Sequence, residues 1–121
     1  MPAERRFPRW VYGVGEEPDP RFSLANERTF LAWIRTALAL SAAGVALEAL
    51  DVPIPADLRL ACALVLVALG IVTPIQAWFG WASTERALRQ DHPLPGSLLR
   101  PLLATGVALA AVLLVVGLAL R

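Results

Sequence analysis

The residues of this chain best suited to chemistry are arginines in unusual company. Arg28, Arg35, Arg86 and Arg89 lie inside or at the edge of long apolar runs. A charged side chain there is costly and faces a bundle interior, a wet cavity or the membrane interface. Arg28 and Arg35 are seven residues apart, so on a helix they share one face, about 10 Å apart along the axis. Ala25, Ala32, Ala39, Ala42, Ala43 and Ala46 fall on that same side, and Phe30, Trp33, Leu40 and Leu47 on the other. One face is small and cationic; the other is large and apolar. Arg86 and Arg89 follow at the end of the second apolar run. Four guanidinium groups drawn together would suit phosphate oxygens, which the planar donor fork grips in pairs. Arg35 could also snorkel to the interface, and the others could simply anchor the chain by the positive-inside rule. Glu27 and Glu85 are the possible ion-pair partners, and Glu85 and Arg89 have the four-residue spacing of a helical pair.

Catalysis finds little support. The one histidine, His92, stands in a proline-rich stretch, and no Ser-His-Asp arrangement or zinc-ligand spacing is present. Gly13-Val14-Gly15 is too short for a phosphate-binding loop. A lone Cys62 within an apolar run makes neither an intrachain disulfide nor a metal cluster, and reads as a small core side chain. The expectation is a protein that is not an enzyme and carries no metal or cofactor. The formal net charge of +1 gives no reason to expect a nucleic-acid partner.

The elements that must position these arginines follow from composition. Of 121 residues, 57 % are hydrophobic and 17 % charged, against about 25 % charged in ordinary soluble chains. Apolar runs extend from about Thr29 to Leu50, Leu58 to Trp81 and Leu99 to Leu120, each near the roughly 20 residues that cross a bilayer. In hydrocarbon every backbone amide needs an internal partner, so such runs become helices. The chain therefore reads as an all-α membrane protein with an arm over 1–20, irregular up to Pro20, and a three-helix transmembrane domain over 21–121. The helices are expected at about 23–50, 57–90 and 97–121. Ser23 is the expected N-cap of the first, with Glu27 near the positive end of its dipole. Pro53 and Pro55 suit a tight turn, as do Pro93, Pro95 and Gly96; Pro74 is expected to bend the second helix. All eleven basic residues are arginine, and they crowd the N-terminal arm and the second connection. That bias places the N-terminus in the cytoplasm and the C-terminus outside. Trp78, Phe79 and Trp81 then fall where an aromatic belt meets the inner interface.

The run from Arg21 to Leu38, continuing through Ala43-Gly44-Val45, closely resembles the opening motif of the YidH family, or domain of unknown function 202. The resemblance resumes at Trp81, at Glu85-Arg86-Ala87-Leu88-Arg89, and from Leu94 to Leu99. It covers nearly the whole chain from Arg21 onward. It implies a bacterial inner-membrane protein with three helices. The domain is also similar to the membrane part of the vacuolar transporter chaperone complex, where subunits surround a basic conduit for polyphosphate. That likeness would carry a phosphate-contacting role onto Arg28 and Arg35, and onto Arg86 and Arg89. This chain departs in lacking the extra basic residues that related proteins often carry near Ser83, and it has no soluble polymerase domain.

Two readings follow. In one, several copies form a homo-oligomer whose Arg-lined interior binds or conducts anions such as phosphate or polyphosphate. In the other, the chain is an accessory or structural membrane protein whose basic surface binds anionic lipids or a partner protein.

Overall fold

Prolines and polar caps set the helix ends. Pro20 occupies the first turn of the first long helix, behind an Asp19 cap whose carboxylate accepts the Arg21 amide at 2.9 Å. Proline suits that position because its missing N–H has no helical partner there. Asp19 is therefore the cap in place of Ser23, and Glu27 lies beyond the first turns, away from the dipole end. In the computed structural model, which describes residues 5–121, the helices are α1 (Arg9–Tyr12), α2 (Pro20–Ala49), α3 (Ala56–Gln90) and α4 (Leu99–Leu120). α3 runs unbroken through Pro74. Thr73, fully buried, turns its hydroxyl back onto the Leu69 carbonyl at 2.6 Å.

α2, α3 and α4 are each long and apolar enough to cross a membrane. The arm, expected to be irregular to Pro20, instead contains the single turn α1, and α1 packs on α3. α3 is the central element: α2 and α4 each pack against it and not against each other. At 30 and 35 residues, α2 and α3 are about 45 and 52 Å long, more than the roughly 30 Å hydrocarbon thickness. The paired ends near Ser23 and Glu85 lie outside the apolar runs of both helices.

Small residues let the helices approach, the usual device where lipid offers no hydrophobic drive for association. A Cβ built on Gly44 of α2 would lie 2.6 Å from Val67 Cγ2 and 2.8 Å from the Ala63 carbonyl oxygen. Gly70 of α3 faces Ser41 and the Ala37 carbonyl in the same way. Leu40, Cys62, Leu66, Leu69, Leu99, Leu103 and Ala110 form the core. Within it the Cys62 thiol donates to the Ala110 carbonyl at 3.4 Å. At the far end, Arg59 pairs with Asp51 at 2.9 Å and Glu48 at 3.3 Å, closing the α2–α3 turn.

Candidate functional site

The α3-facing side of α2 is set by Ala37, Leu40 and Gly44, the buried residues of that helix. Phe30, Trp33 and Leu47 are half-buried beside them. At 100° per residue, Arg28 and Arg35 lie about 160–180° from Ala37, turned directly away from α3. Arg28, Ala32, Arg35, Ala39, Ala42 and Ala43 are all exposed. Among the described residues neither arginine has an ion-pair partner. Glu27, expected as a counter-charge, is exposed and also unpaired among them. One chain thus leaves a face of small side chains and two guanidinium groups uncovered along the first span.

The other two arginines go elsewhere. Arg89 is buried, its side chain 4 % exposed, and receives the N-terminal arm. Its guanidinium donates to Glu17 Oε1 at 2.6 Å, to the Val14 carbonyl at 2.9 Å and to the Tyr12 carbonyl at 3.1 Å. Its backbone carbonyl accepts the Glu16 amide at 2.9 Å. Gly15 passes directly over that carbonyl at φ +59°, a place and a conformation that leave no room for a Cβ. Arg86 donates to the Trp10 carbonyl, and Arg6 reaches Glu17 from within the arm. The Arg6 and Arg89 guanidiniums lie 4.3 and 5.5 Å from the Tyr12 ring centroid. The hydrogen bond from Arg6, then that from Arg89, holds the Glu17 carboxyl below its ordinary range. Burial, and next the Glu85 charge, pushes the Tyr12 phenol above its ordinary value.

Glu85 does not pair with Arg89. It is buried, and accepts the Ser23 hydroxyl at 2.5 Å and the Asn26 amide at 3.1 Å. Asn26 also donates to the Trp81 carbonyl at 3.0 Å. Ser23 and Asn26 are one turn apart on α2, so both reach the same α3 carboxylate, while the arm's Glu17 takes Arg89. The spacing of Glu85 and Arg89 allows their pairing, but a carboxylate enclosed by two donors from the neighbouring helix has no need of it. The structure therefore divides the four arginines. Arg28 and Arg35 face outward together; Arg86 and Arg89 fasten the arm. The participation of Tyr12, Glu17, Ser23 and Asn26 was not read from the sequence. The only trace of it there is polar residues one helical turn apart just before an apolar run.

Among the described residues no group of His, Cys, Asp and Glu is placed to hold a metal. His92 lies exposed in the α3–α4 connection.

A row of three long apolar helices, with its charged contacts gathered at the helix ends, defines a three-span α-helical membrane protein. The family model for a domain of unknown function (DUF202) matches residues 21–87. The chain is 46 % identical over 98 residues to an uncharacterized protein of Mycobacterium tuberculosis, covering 79 % of this chain and 80 % of that one. It is 48 % identical over 90 residues to the inner membrane protein YidH of Escherichia coli, covering 71 % of this chain and 77 % of YidH. No solved structure matches it. The chain belongs to the DUF202 family, with YidH among its relatives, and is a multi-pass protein of the inner membrane. These matches support the family and lend nothing to the likeness with the vacuolar transporter chaperone complex.

Proposed function

We propose that the protein works as a homo-oligomer in which α2 helices face one another around an axis, and that the Arg-lined interior binds or conducts anions such as phosphate or polyphosphate. The reading is non-enzymatic. It takes the N-terminus as cytoplasmic and the C-terminus as outside, from the arginine bias. The observation that carries it is the exposure of Arg28 and Arg35 on the α2 face opposite α3, unpaired among the described residues.

Arg35 sits about 9 Å past the start of the apolar run at Thr29. Turned to hydrocarbon at that depth, a guanidinium is costly. Covered by further copies around a wet axis, it keeps its hydration and gains an anionic ligand. Exposed Ala32, Ala39 and Ala42 permit close approach of neighbouring helices. Closed symmetry then repeats each arginine as a ring, and rings of cationic side chains select anions in pores. Arg86 and Arg89, tied to the arm, support this arrangement from outside the ring.

Two measurements test it together. Native mass spectrometry of the protein in mild detergent is expected to give one closed oligomer of roughly four to six chains. In proteoliposomes, Arg35→Ala is expected to remove phosphate or polyphosphate uptake or binding while leaving insertion and oligomer mass unchanged. A monomer, or undiminished flux with Arg35→Ala, would overturn the proposal.

A further inference from the structure

We infer that the arm and α3 build a second site, for a phosphate group presented at the membrane interface, with Arg5 and Arg9 as its donors and Phe7, Trp10 and Trp78 as its walls. The inference does not rest on the α2 face, with which it shares no residue.

A cleft of about 460 Å³ lies between the arm and α3, lined by Arg5, Arg6, Arg9, Phe7, Trp10 and Trp78. Three of these carry a positive charge, and among the described residues no acidic side chain lines the cleft. The charges are not equally spent. Arg6 is engaged by Glu17, whereas Arg5 and Arg9 are exposed and have no ion-pair partner among the described residues. Two exposed arginines that line one cleft thus keep their guanidinium groups available, and phosphate oxygens are the acceptors whose geometry those groups match.

The arm is held in place. Phe7 stacks on Trp78 with ring centroids 6.1 Å apart, and Trp78 packs on Trp81 at 5.2 Å. Arg86 lies over the Trp10 ring at 5.8 Å as well as on its carbonyl. Arg89 and Glu17 fasten the segment that follows. Donors already positioned lose less freedom on binding than donors on a loose tail.

The placement selects the source of the phosphate. Trp78 and Trp81 mark the end of the apolar run of α3, the level at which aromatic rings meet head groups. Phe7 is 79 % exposed and Trp10 44 % exposed. Large apolar rings at that level, next to cations with no ion-pair partner among the described residues, fit the boundary between an acyl chain and an anionic phosphodiester. A free phosphate would use the same two arginines but not the rings.

The test measures lipid binding to the full chain in detergent at 0.15 M salt by native mass spectrometry, titrating phosphatidylglycerol, then phosphatidylcholine, then inorganic phosphate. Wild type is expected to retain about one phosphatidylglycerol per chain and to discriminate against phosphatidylcholine. Arg9→Gln is expected to weaken that binding tenfold or more, the loss of a charge-assisted hydrogen bond. Arg100→Gln removes a cation at the same end of the bundle but outside the cleft, and is expected to cost about fivefold at most, as general surface attraction does. Protection of the Glu16 amide from hydrogen exchange, unchanged in Arg9→Gln, shows that the arm is still docked. If inorganic phosphate binds with the same dependence on Arg9 and displaces the lipid, the site stands with free phosphate as its ligand. Equal losses in Arg9→Gln and Arg100→Gln, or no binding of either probe by wild type, would overturn the inference.

Discussion

Arg89 is the side chain whose replacement tests the architecture of the N-terminal end most directly. Its guanidinium makes three hydrogen bonds to the arm, to Glu17, Val14 and Tyr12, from a side chain that is only 4 % exposed. Hydrogen bonds to a charged group are worth about 1.5–3 kcal/mol each, so a simple sum would reach about 4.5–9 kcal/mol. Two considerations lower it. Glu17 is 61 % exposed and recovers solvation when released. The arm can also lose no more than its own docking free energy. We therefore expect Arg89→Met to weaken docking by about 2–4 kcal/mol, roughly 30- to 1,000-fold in the opening equilibrium. The assay is hydrogen exchange in detergent or nanodiscs. Val11, Tyr12, Gly13 and Glu16 should exchange faster by that factor, because their amides bond within the arm or to the Arg89 carbonyl. Amides in the middle of α3 and α4 should be unaffected. Arg89→Lys, which keeps the charge but not the fork, should fall between the two. Unchanged protection of the arm in Arg89→Met would show that the contacts of Arg89 do not hold it, and would refute the reasoning.

Two other perturbations follow from the packing and from the arm's charge. Gly44→Leu would drive a side chain into Val67 and the Ala63 carbonyl; it should destabilise the α2–α3 pair by about 1–3 kcal/mol, read as a lower midpoint in detergent unfolding. Glu17 has a folded-state pKa below its ordinary 4.5, held there first by Arg6 and then by Arg89. Its contribution to docking is therefore fully present above that value and is lost as pH falls through the lowered one. Trp10 fluorescence should accordingly be flat from neutral pH down to about 4.5 and change only below it. Glu17→Gln should dock more weakly at neutral pH and lose the acid transition.

The arm and the α2 face bear differently on function. The arm couples to α3 through polar groups, centred on the buried Arg89, whose partners lie within one chain. The α2 face has no such partners among the described residues, and what covers it decides between an anion-binding assembly and an accessory protein. Stoichiometry and flux address that face; hydrogen exchange and lipid titration address the arm. The two sets of experiments can fail separately.

Composition and spacing alone were enough to determine three spans, their approximate limits and the face on which Arg28 and Arg35 lie. The reason is physical: lipid admits only helices whose backbone bonds close internally, and a helix of known pitch assigns every residue to a face. Spacing left open which of the two faces meets a neighbour; in the structure Leu40 is buried and Phe30, Trp33 and Leu47 are half-buried, while the face with the arginines turns away from α3. Tertiary structure decided what no spacing could. Glu85 and Arg89 are a textually adequate pair four residues apart, yet each is taken by a different element, Glu85 by Ser23 and Asn26 of α2 and Arg89 by Glu17 of the arm. Those contacts span 59 to 72 positions of sequence. They depend on where α2 crosses α3 and on where Gly15 lets the arm pass over the Arg89 carbonyl. A local pattern shows which groups can meet; only the crossing of the helices shows which of them find another partner first.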